Sequence, residues 1–487
     1  MDFSRRQFVL GTGSLFASLA LGSEAPDLGP RRLRLGVISD LHIAGGFKAF
    51  SRESLAKNLE IPRTALKWFD AQGVDAVVIP GDIADLARIE ELQGFADVWN
   101  EVFPNGKGAD GRPVEKLFIY GNHESYPQEA EKRGSKAIWT EGRDKVWEKT
   151  FGEPFADLRV KTVKGYDFLL ASWGWNIEKT SLGGGYRRLN ELVRQCAKSG
   201  RTFFVVQHFH PKDTCHGPLA WGHDEGVTGR ALAACPQAVV FSGHSHYVFA
   251  DEKTVWQREF TSIGAGSLKY SGEPVEDYPP FGCENTVTPS SYDIPYAAGV
   301  RAAIDAEKIM PRMNRRDDCL GAGNQGLLVD VYDKALVIRR HEFRWSLDIG
   351  DDWTVPLPAR AGGPFDPKVR EKESPRCEFA AGAKLEDLGE GMANDRRGAA
   401  HTVRTLRVPG GARTTGAQLM AYDVGFLDEA KRWNHLQFVT AGDFNLPPGR
   451  KMETFDIPVR CDRVPPRATL AVRPCDSFAR PGREISL

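Results

Sequence analysis

The stretch Leu33-Arg34-Leu35-Gly36-Val37-Ile38-Ser39-Asp40-Leu41-His42 decides how the fold is read. An apolar run that ends on a carboxylate and an imidazole reads as a buried strand delivering polar side chains at its carboxyl end. The pattern returns twice. Asp75-Ala76-Val77-Val78-Ile79 ends at Gly81-Asp82, and Lys116-Leu117-Phe118-Ile119-Tyr120 ends at Gly121-Asn122-His123. Helical spacing occupies 52–71 and about 86–100 between them. Further strands are expected at 167–172, 202–207 and 238–242, the second followed by His208 and the third by His244 and His246. Short apolar runs with helices between them predict a layered α/β sandwich.

In an open α/β sheet the carboxyl ends of the strands form the natural site crevice. Asp40, His42, Asp82, Asn122, His123, His208, His244 and His246 would all emerge there. Carboxylate, imidazole and amide oxygen together suit borderline divalent metals such as Mn, Fe, Co or Zn. One carboxylate can bridge two ions.

These residues resemble the calcineurin-like metallophosphoesterase family, whose pattern runs D-x-H, G-D, G-N-H-[DE], H, then G-H-x-H. The chain carries Asp40-Leu41-His42, Gly81-Asp82, Gly121-Asn122-His123-Glu124, His208 and Gly243-His244-Ser245-His246 in that order. The resemblance covers roughly residues 33–345. It implies that Asp40, His42 and His246 hold one metal, that Asn122, His208 and His244 hold the other, and that Asp82 bridges them. It also implies that His123 sits near the leaving-group oxygen without binding metal. The implied reaction is in-line attack by a metal-bridging hydroxide on a phosphoester, with two divalent cations as cofactors. His210 is a second candidate in Gln207-His208-Phe209-His210-Pro211, but His208 directly follows the strand and matches the block better. His210 is then left to line the pocket or lie on the surface. Purple acid phosphatases carry a tyrosine soon after the Gly-Asp block; here the run is Ile83-Ala84-Asp85. That departure moves the expectation toward phosphodiesters, with a phosphomonoesterase acting on nucleotides or sugar phosphates as the alternative.

The chain has 487 residues, enough for two or three domains. Lys+Arg is 64 against Asp+Glu 65, a formal charge of −1, which argues against a basic nucleic-acid coat and an acidic tail. The pairs Arg31-Arg32, Arg187-Arg188 and Arg339-Arg340 are too scattered for a nucleic-acid stripe, so no duplex partner is expected. The expected partner is a small-molecule or lipid phosphoester. With Gly 50 and Pro 30, long ordered loops are expected.

Residues 1–25 read as a signal peptide outside the fold. Ser4-Arg5-Arg6-Gln7-Phe8-Val9-Leu10 resembles the twin-arginine export motif, a soft apolar stretch runs from Gly11 to Gly22, and Ser23 and Ala25 suit cleavage after Ala25. The twin-arginine machinery moves folded proteins, so a metal centre can assemble before export to the periplasm or beyond. The apolar stretch is shorter than the ~20 residues of a spanning helix, so no stable membrane span is expected.

Domain boundaries follow from composition. Residues 33–348 form the expected metallophosphoesterase domain, with a long loop over the site at 264–325 and a hairpin at 326–345 turning at Asp333-Lys334. Pro356, Pro358, Gly362, Gly363 and Pro364 mark a linker at 349–372. Residues 373–487 carry β-like runs at 402–408, 417–422, 435–440 and 467–473, expected to form a small β-sandwich. This part could be a structural domain or a glycan- or envelope-binding module with Trp433 and Tyr422 as platforms.

Of eight cysteines none forms a Cys-x-x-Cys pair, which argues against a thiolate zinc site. Cys461 and Cys475 flank an apparent hairpin and are the best candidates for a bridge, free buried cysteines being the alternative. Gly321-Ala322-Gly323-Asn324-Gln325-Gly326 fits the dinucleotide expression but lacks the strand–turn–helix context. His216 and His223, with Cys215, read as a pocket-rim loop, and Trp173 and Trp175 as core or rim packing. Tyr126, just beyond His123, is a candidate contact for a leaving group.

Overall fold

The computed structural model describes residues 28–46, 48–174, 184–217, 222–249, 251–269, 324–343, 346–373, 376–394, 400–410, 419–440, 454–476, 478 and 480–487. The segment 1–25, Trp175, Cys283, Cys319 and most of 264–325 lie outside the described residues. Among the described residues no helix is long and apolar enough to cross a membrane.

Strand β1 (Leu33–Val37) leads through helices α1 (Arg52–Asn58) and α2 (Glu60–Gln72) to β2 (Ala76–Ile79), then through α3 (Ile89–Val102) to β3 (Glu115–Phe118). One helix was expected across 52–71; two are found. Pro62 cannot donate to the carbonyl of Asn58 and its ring crowds that oxygen, so the chain breaks at Leu59. Three short helices, α4 (Pro127–Glu131), α5 (Ile138–Glu141) and α6 (Arg143–Phe151), precede β4 (Leu158–Val163) and β5 (Tyr166–Ala171). Then come α7 (Gly184–Ala197), β6 (Phe203–Gln207), α8 (Val227–Leu232), β7 (Ala238–Ser242), β8 (Val255–Gln257) and β9 (Thr261–Gly264). The domain closes with β10 (Gln325–Val331), β11 (Ala335–Glu342), β12 (Leu347–Asp348), β13 (Trp353–Pro356) and helix α9 (Pro367–Glu373).

These strands make two mixed sheets. One runs β12-β11-β10-β1-β2-β3 with β13 also on β11; the other runs β4-β5-β6-β7-β9-β8. The sheets face each other across one core that joins Leu35, Val37, Val78 and Leu117 to Phe168, Phe204, Val206 and Phe241. Helices α2, α3 and α6 cover the outer face of the first sheet, and α7 and α8 that of the second. The fold is thus the expected layered α/β sandwich of metallophosphoesterase type.

Register places the site. β1, β2 and β3 are parallel, with Val37 opposite Val78 and Val78 opposite Leu117, so their carboxyl ends are level. Backbone bonds continue past the strands: Asp40 donates to the carbonyl of Gly81 at 3.3 Å and His42 to that of Asp82 at 3.0 Å. β6 and β7 are likewise parallel, and Gly243 donates to the carbonyl of His208 at 2.9 Å. Leu268 donates to the carbonyl of Ser39 at 2.8 Å, and the Ser267 hydroxyl to that of Asp40 at 3.0 Å, which ties the chain leaving β9 to the end of β1.

Residues 349–372, read as a linker from their Pro and Gly, are partly built into this domain. Trp353–Pro356 pairs antiparallel with β11, and Trp353, Val355, Leu357 and Phe365 join the core between the sheets. The strand lies at an edge, where a proline costs no ladder bond. Helix α9 is anchored by Arg370, which pairs with Glu252 and lies over the rings of Trp353 and Phe365.

The C-terminal part consists of β14 (Glu386–Asn394), β15 (Ala400–Pro409), β16 (Leu419–Leu427), β17 (Trp433–Thr440), β18 (Thr454–Arg460), β19 (Thr469–Asp476) and β20 (Ile485–Ser486). It forms two antiparallel sheets, β14-β15-β18 and β17-β16-β19-β20. Leu406, Val408, Ile457 and Val459 of the first pack on Leu419, Tyr422, Val424 and Val472 of the second. Tyr422 is fully buried there and offers no binding platform, while the guanidinium of Arg473 lies 3.8 Å over the ring of Trp433. Cys461 and Cys475 are both free, not bridged. Cys461 opens a helical turn after β18, and Cys475 is buried in β19 of the other sheet, so the apparent hairpin joining them spans two layers.

Candidate metal centre

All eight residues singled out in the sequence converge at the carboxyl ends of β1, β2, β3, β6 and β7. Seven are buried: Asp40, His42, Asp82, Asn122, His208, His244 and His246 are each at most 8% exposed. The His123 side chain is 27% exposed and is the one member of the set open to the crevice. Among the described residues three groups of donors form, one of them His42, Asp85 and His123, which shares His42 with the first of the two buried groups. Asp40, His42 and His246 bring ligand atoms within 4.8 Å of one another, and so do Asp82, His208 and His244. The second group includes Asn122, whose Oδ1 lies 2.7 Å from His208 Nε2.

Hydrogen bonds fix which ring nitrogens face inward. His208 Nδ1 lies 2.7 Å from the carbonyl of Pro80, an acceptor, so Nδ1 carries the proton. Its Nε2 then points at Asn122 Oδ1 and, at 3.1 Å, at Asp82 Oδ2. His42 Nδ1 donates to Asp85 Oδ1 at 2.9 Å, leaving Nε2 to face His246 Nε2 at 3.0 Å and the Asp40 and Asp82 carboxylates at 3.8 Å. Buried acceptor lone pairs that face one another repel unless a cation lies among them. The donor set therefore fits two divalent cations, with Asp82 beside both groups.

The electrostatics agree. Burial alone would raise the Asp40 and Asp82 carboxyls, yet His246 beside Asp40 and His208 and His123 beside Asp82 hold both below their usual range. Burial and His123 would lower His42, but hydrogen bonds to Asp40 and Asp85 and the charge of Asp82 push it up to about 9. His208 is likewise raised to about 9 against burial, by Asp82 and Asp40. His244 and His246 are lowered, chiefly by burial. The carboxylates thus collect positive charge, as protons where no metal supplies it.

The local backbone is costly. Asp40, His42, Asp82, His244 and His246 all have φ between 41° and 72°, a region few non-glycine residues occupy. Such strain persists only where surrounding bonds over-determine it. The His244 amide donates to both Asp40 carboxylate oxygens at 3.1 and 3.0 Å, and the His123 amide to Asp82 Oδ1 at 2.9 Å. Two glycines make room. A Cβ on Gly121 would lie 2.1 Å from Asp82 Oδ1, and one on Gly243 2.3 Å from Asp40 Oδ2.

Residues beyond the sequence reading also belong here. Asp85, read only as the absence of a tyrosine, binds His42 through its carboxylate, and its main-chain oxygen lies 2.8 Å from His123 Nδ1. The spacing Asp82-x-x-Asp85 was visible, but nothing local says where that carboxylate turns. Asn122 Nδ2 donates to the hydroxyl of Tyr126 at 3.0 Å, so the tyrosine touches a site residue directly. His210 is buried, not on the surface, and meets serines rather than the donor groups. His216 and His223 bond Asp251 and the carbonyl of Cys215, and among the described residues they belong to no group of three metal-ligating side chains. Trp173 packs edge-on against Phe209, whose ring lies 4.1 Å from that of His244. A groove of about 900 Å³ lined by Leu55, Leu59, Gln93, Gly94, Val98 and Lys149 lies on the helical face and holds none of the site residues.

A mixed-sheet α/β sandwich with paired His/Asp groups at its strand ends defines a metal-dependent phosphoester hydrolase. Residues 33–248 match the family model of the calcineurin-like phosphoesterases. No curated protein matches the chain. Among solved structures it is similar to a dimetal phosphatase from Danio rerio, at 12% identity and TM-score 0.38, covering 67% of this chain and 99% of that one. It is also similar to a conserved uncharacterized protein (predicted phosphoesterase) from Streptococcus pneumoniae, at 11% identity and TM-score 0.26, covering 66% and 97%.

Proposed function

We propose that this protein hydrolyses phosphodiesters with two divalent ions, Asp40, His42 and His246 holding one, Asn122, His208 and His244 the other, and Asp82 both. The observation that carries the reading is the convergence of inward-facing acceptor atoms from five strand ends onto two adjacent points. When bound, the ions supply an activated water for in-line attack and neutralise charge on the phosphoryl oxygens.

The chain's own groups do the rest. His123 holds its Nδ1 toward the main-chain oxygen of Asp85, which leaves Nε2 for the departing oxygen. Burial would lower this imidazole, but in the metal-free protein Asp82 and Asp85 raise it well above its ordinary value; Asp85, which is assigned to neither ion, stays beside the ring to favour the protonated form that can serve an alkoxide. Asp85, in the run where purple acid phosphatases carry a tyrosine, supports the diester reading.

The test is a paired assay of residues 26–487 on bis-(p-nitrophenyl) phosphate and p-nitrophenyl phosphate, with Mn, Zn, Co and Fe and with chelator. A metal-dependent preference for the diester is expected. A preference for the monoester would replace the proposal with a phosphomonoesterase. Export of the folded protein by the twin-arginine route, with cleavage after Ala25, is part of the same proposal. The joint variant Arg5→Lys/Arg6→Lys should retain the protein in the cytoplasm, and unchanged periplasmic recovery would remove that part.

A further inference from the structure

His210 lies beneath the two donor groups without joining either. It is 1% exposed, and both of its ring nitrogens are engaged: Nδ1 with the Ser242 hydroxyl at 2.7 Å and Nε2 with the Ser245 hydroxyl at 2.6 Å. Ser242 ends β7, and Ser245 stands between His244 and His246, whose φ values are 72° and 55°. The imidazole therefore spans the start and the middle of a strained turn that supplies one histidine to each donor group. A strained turn keeps its shape only if something rigid holds it.

His210 is itself rigidly mounted. Its amide donates to the carbonyl of Gly222 at 2.9 Å, and its own carbonyl accepts from the Asp224 amide at 2.7 Å. The Asp224 carboxylate in turn accepts from the amides of Lys212 and Gly226 at 3.0 and 2.7 Å. His216, fixed by Asp251 at 2.9 Å, packs edge-on against the His210 ring at 5.3 Å. A rigid imidazole bonded to two serine hydroxyls is a spacer of set length.

We propose that His210 is a positioning residue that, through Ser245, sets the placement of His244 and His246 together and so tunes both metal sites at once. The inference rests on the assignment of those two histidines as ligands. Groups hydrogen-bonded to a ligand commonly contribute about 10–100-fold in metal affinity, and His210 acts one step further out, through the backbone between the two ligands, so the lower end of that range is expected.

The roles of the two nitrogens can be separated. An asparagine amide reaches the place of Nδ1, and a glutamine amide that of Nε2. Metal-free full-length protein is titrated with Mn²⁺ by calorimetry, with thermal unfolding recorded for each variant. Ser245→Ala and His210→Asn should each weaken both binding steps by about 10-fold or more, while His210→Gln stays within about 3-fold of the parent. Wild-type Mn²⁺ affinity in Ser245→Ala, or His210→Gln as weak as His210→Asn, overturns the proposal. Ser245→Ala removes one hydroxyl and decides the matter even if the asparagine variant does not fold. His244→Ala and His246→Ala are run alongside: if they keep Mn²⁺, the ligand assignment itself fails, a result distinct from failure of the spacer alone.

Discussion

Asp85 serves two histidines at once: its carboxylate accepts from His42 Nδ1 at 2.9 Å and lies 3.3 Å from His123 Nδ1. One of these rings faces the buried donor groups and the other the open crevice. On the proposed roles of these two histidines, the carboxylate would link metal binding to proton delivery. Asp85→Ala should weaken metal binding about 10–100-fold and lower turnover as well. Metal content by plasma emission together with kcat would check this; an Asp85→Ala enzyme with full metal and full kcat would refute the linkage.

On the proposed reading His123 acts apart from metal binding: its side chain is 27% exposed, while the seven assigned ligands are buried. His123→Asn should keep its metal and lose turnover by about 10²–10⁴-fold, most for esters of poorly acidic alcohols. The check is the dependence of kcat on leaving-group pKa, which should steepen in the variant. Equal activity on a poor leaving group would end the assignment.

Protons and metal compete for the same atoms. His42 and His208 rise to about 9 in the metal-free protein, above the ~6.5 of an unfolded chain. A folded-state value raised in this way adds stability that is full below about pH 6.5 and lost as pH climbs through about 9. Metal-free protein should therefore lose thermal stability across that window. Apparent Mn²⁺ affinity should rise over the same window, since binding displaces those protons. Calorimetry in buffers of different ionisation heat would detect the released protons, and their absence would contradict the prediction.

The two tight glycines are tests of geometry. Gly121→Ala and Gly243→Ala each put a methyl within 2.3 Å of a site carboxylate oxygen. Repacking around such a clash costs about 1–3 kcal/mol. Both variants should show a lower Tm and reduced metal content. Normal metal content in either would mean that the carboxylate can move aside.

Much of this site was legible in the chain because each block is local. Asp40 and His42 follow one apolar run, Asp82 another, Asn122 and His123 a third, and strand-then-turn is a pattern a single segment carries. The hairpin at Asp333-Lys334 was legible for the same reason. Where local signals conflict, the reading failed. Pro356, Pro358 and the glycines after them suggested a linker, yet Trp353 and Val355 alternate into the core and draw the segment onto the sheet edge. Pro and Gly report backbone permission, whereas apolar burial supplies the larger free energy.

The amino-acid sequence by itself determined which atoms are available for chemistry and that each leaves a strand at its carboxyl end. Only the tertiary structure decided their company: parallel register levels the ends of β1, β2 and β3, and the facing sheet brings His208, His244 and His246 to them. It also decided that Asp85 turns to His42 and His123 and that His210 binds serines under the turn. The physical reason is range. Strand propensity and turn chemistry act over a few residues, while hydrogen bonds such as that from the His244 amide to Asp40 join positions 204 residues apart and exist only once the two sheets have packed.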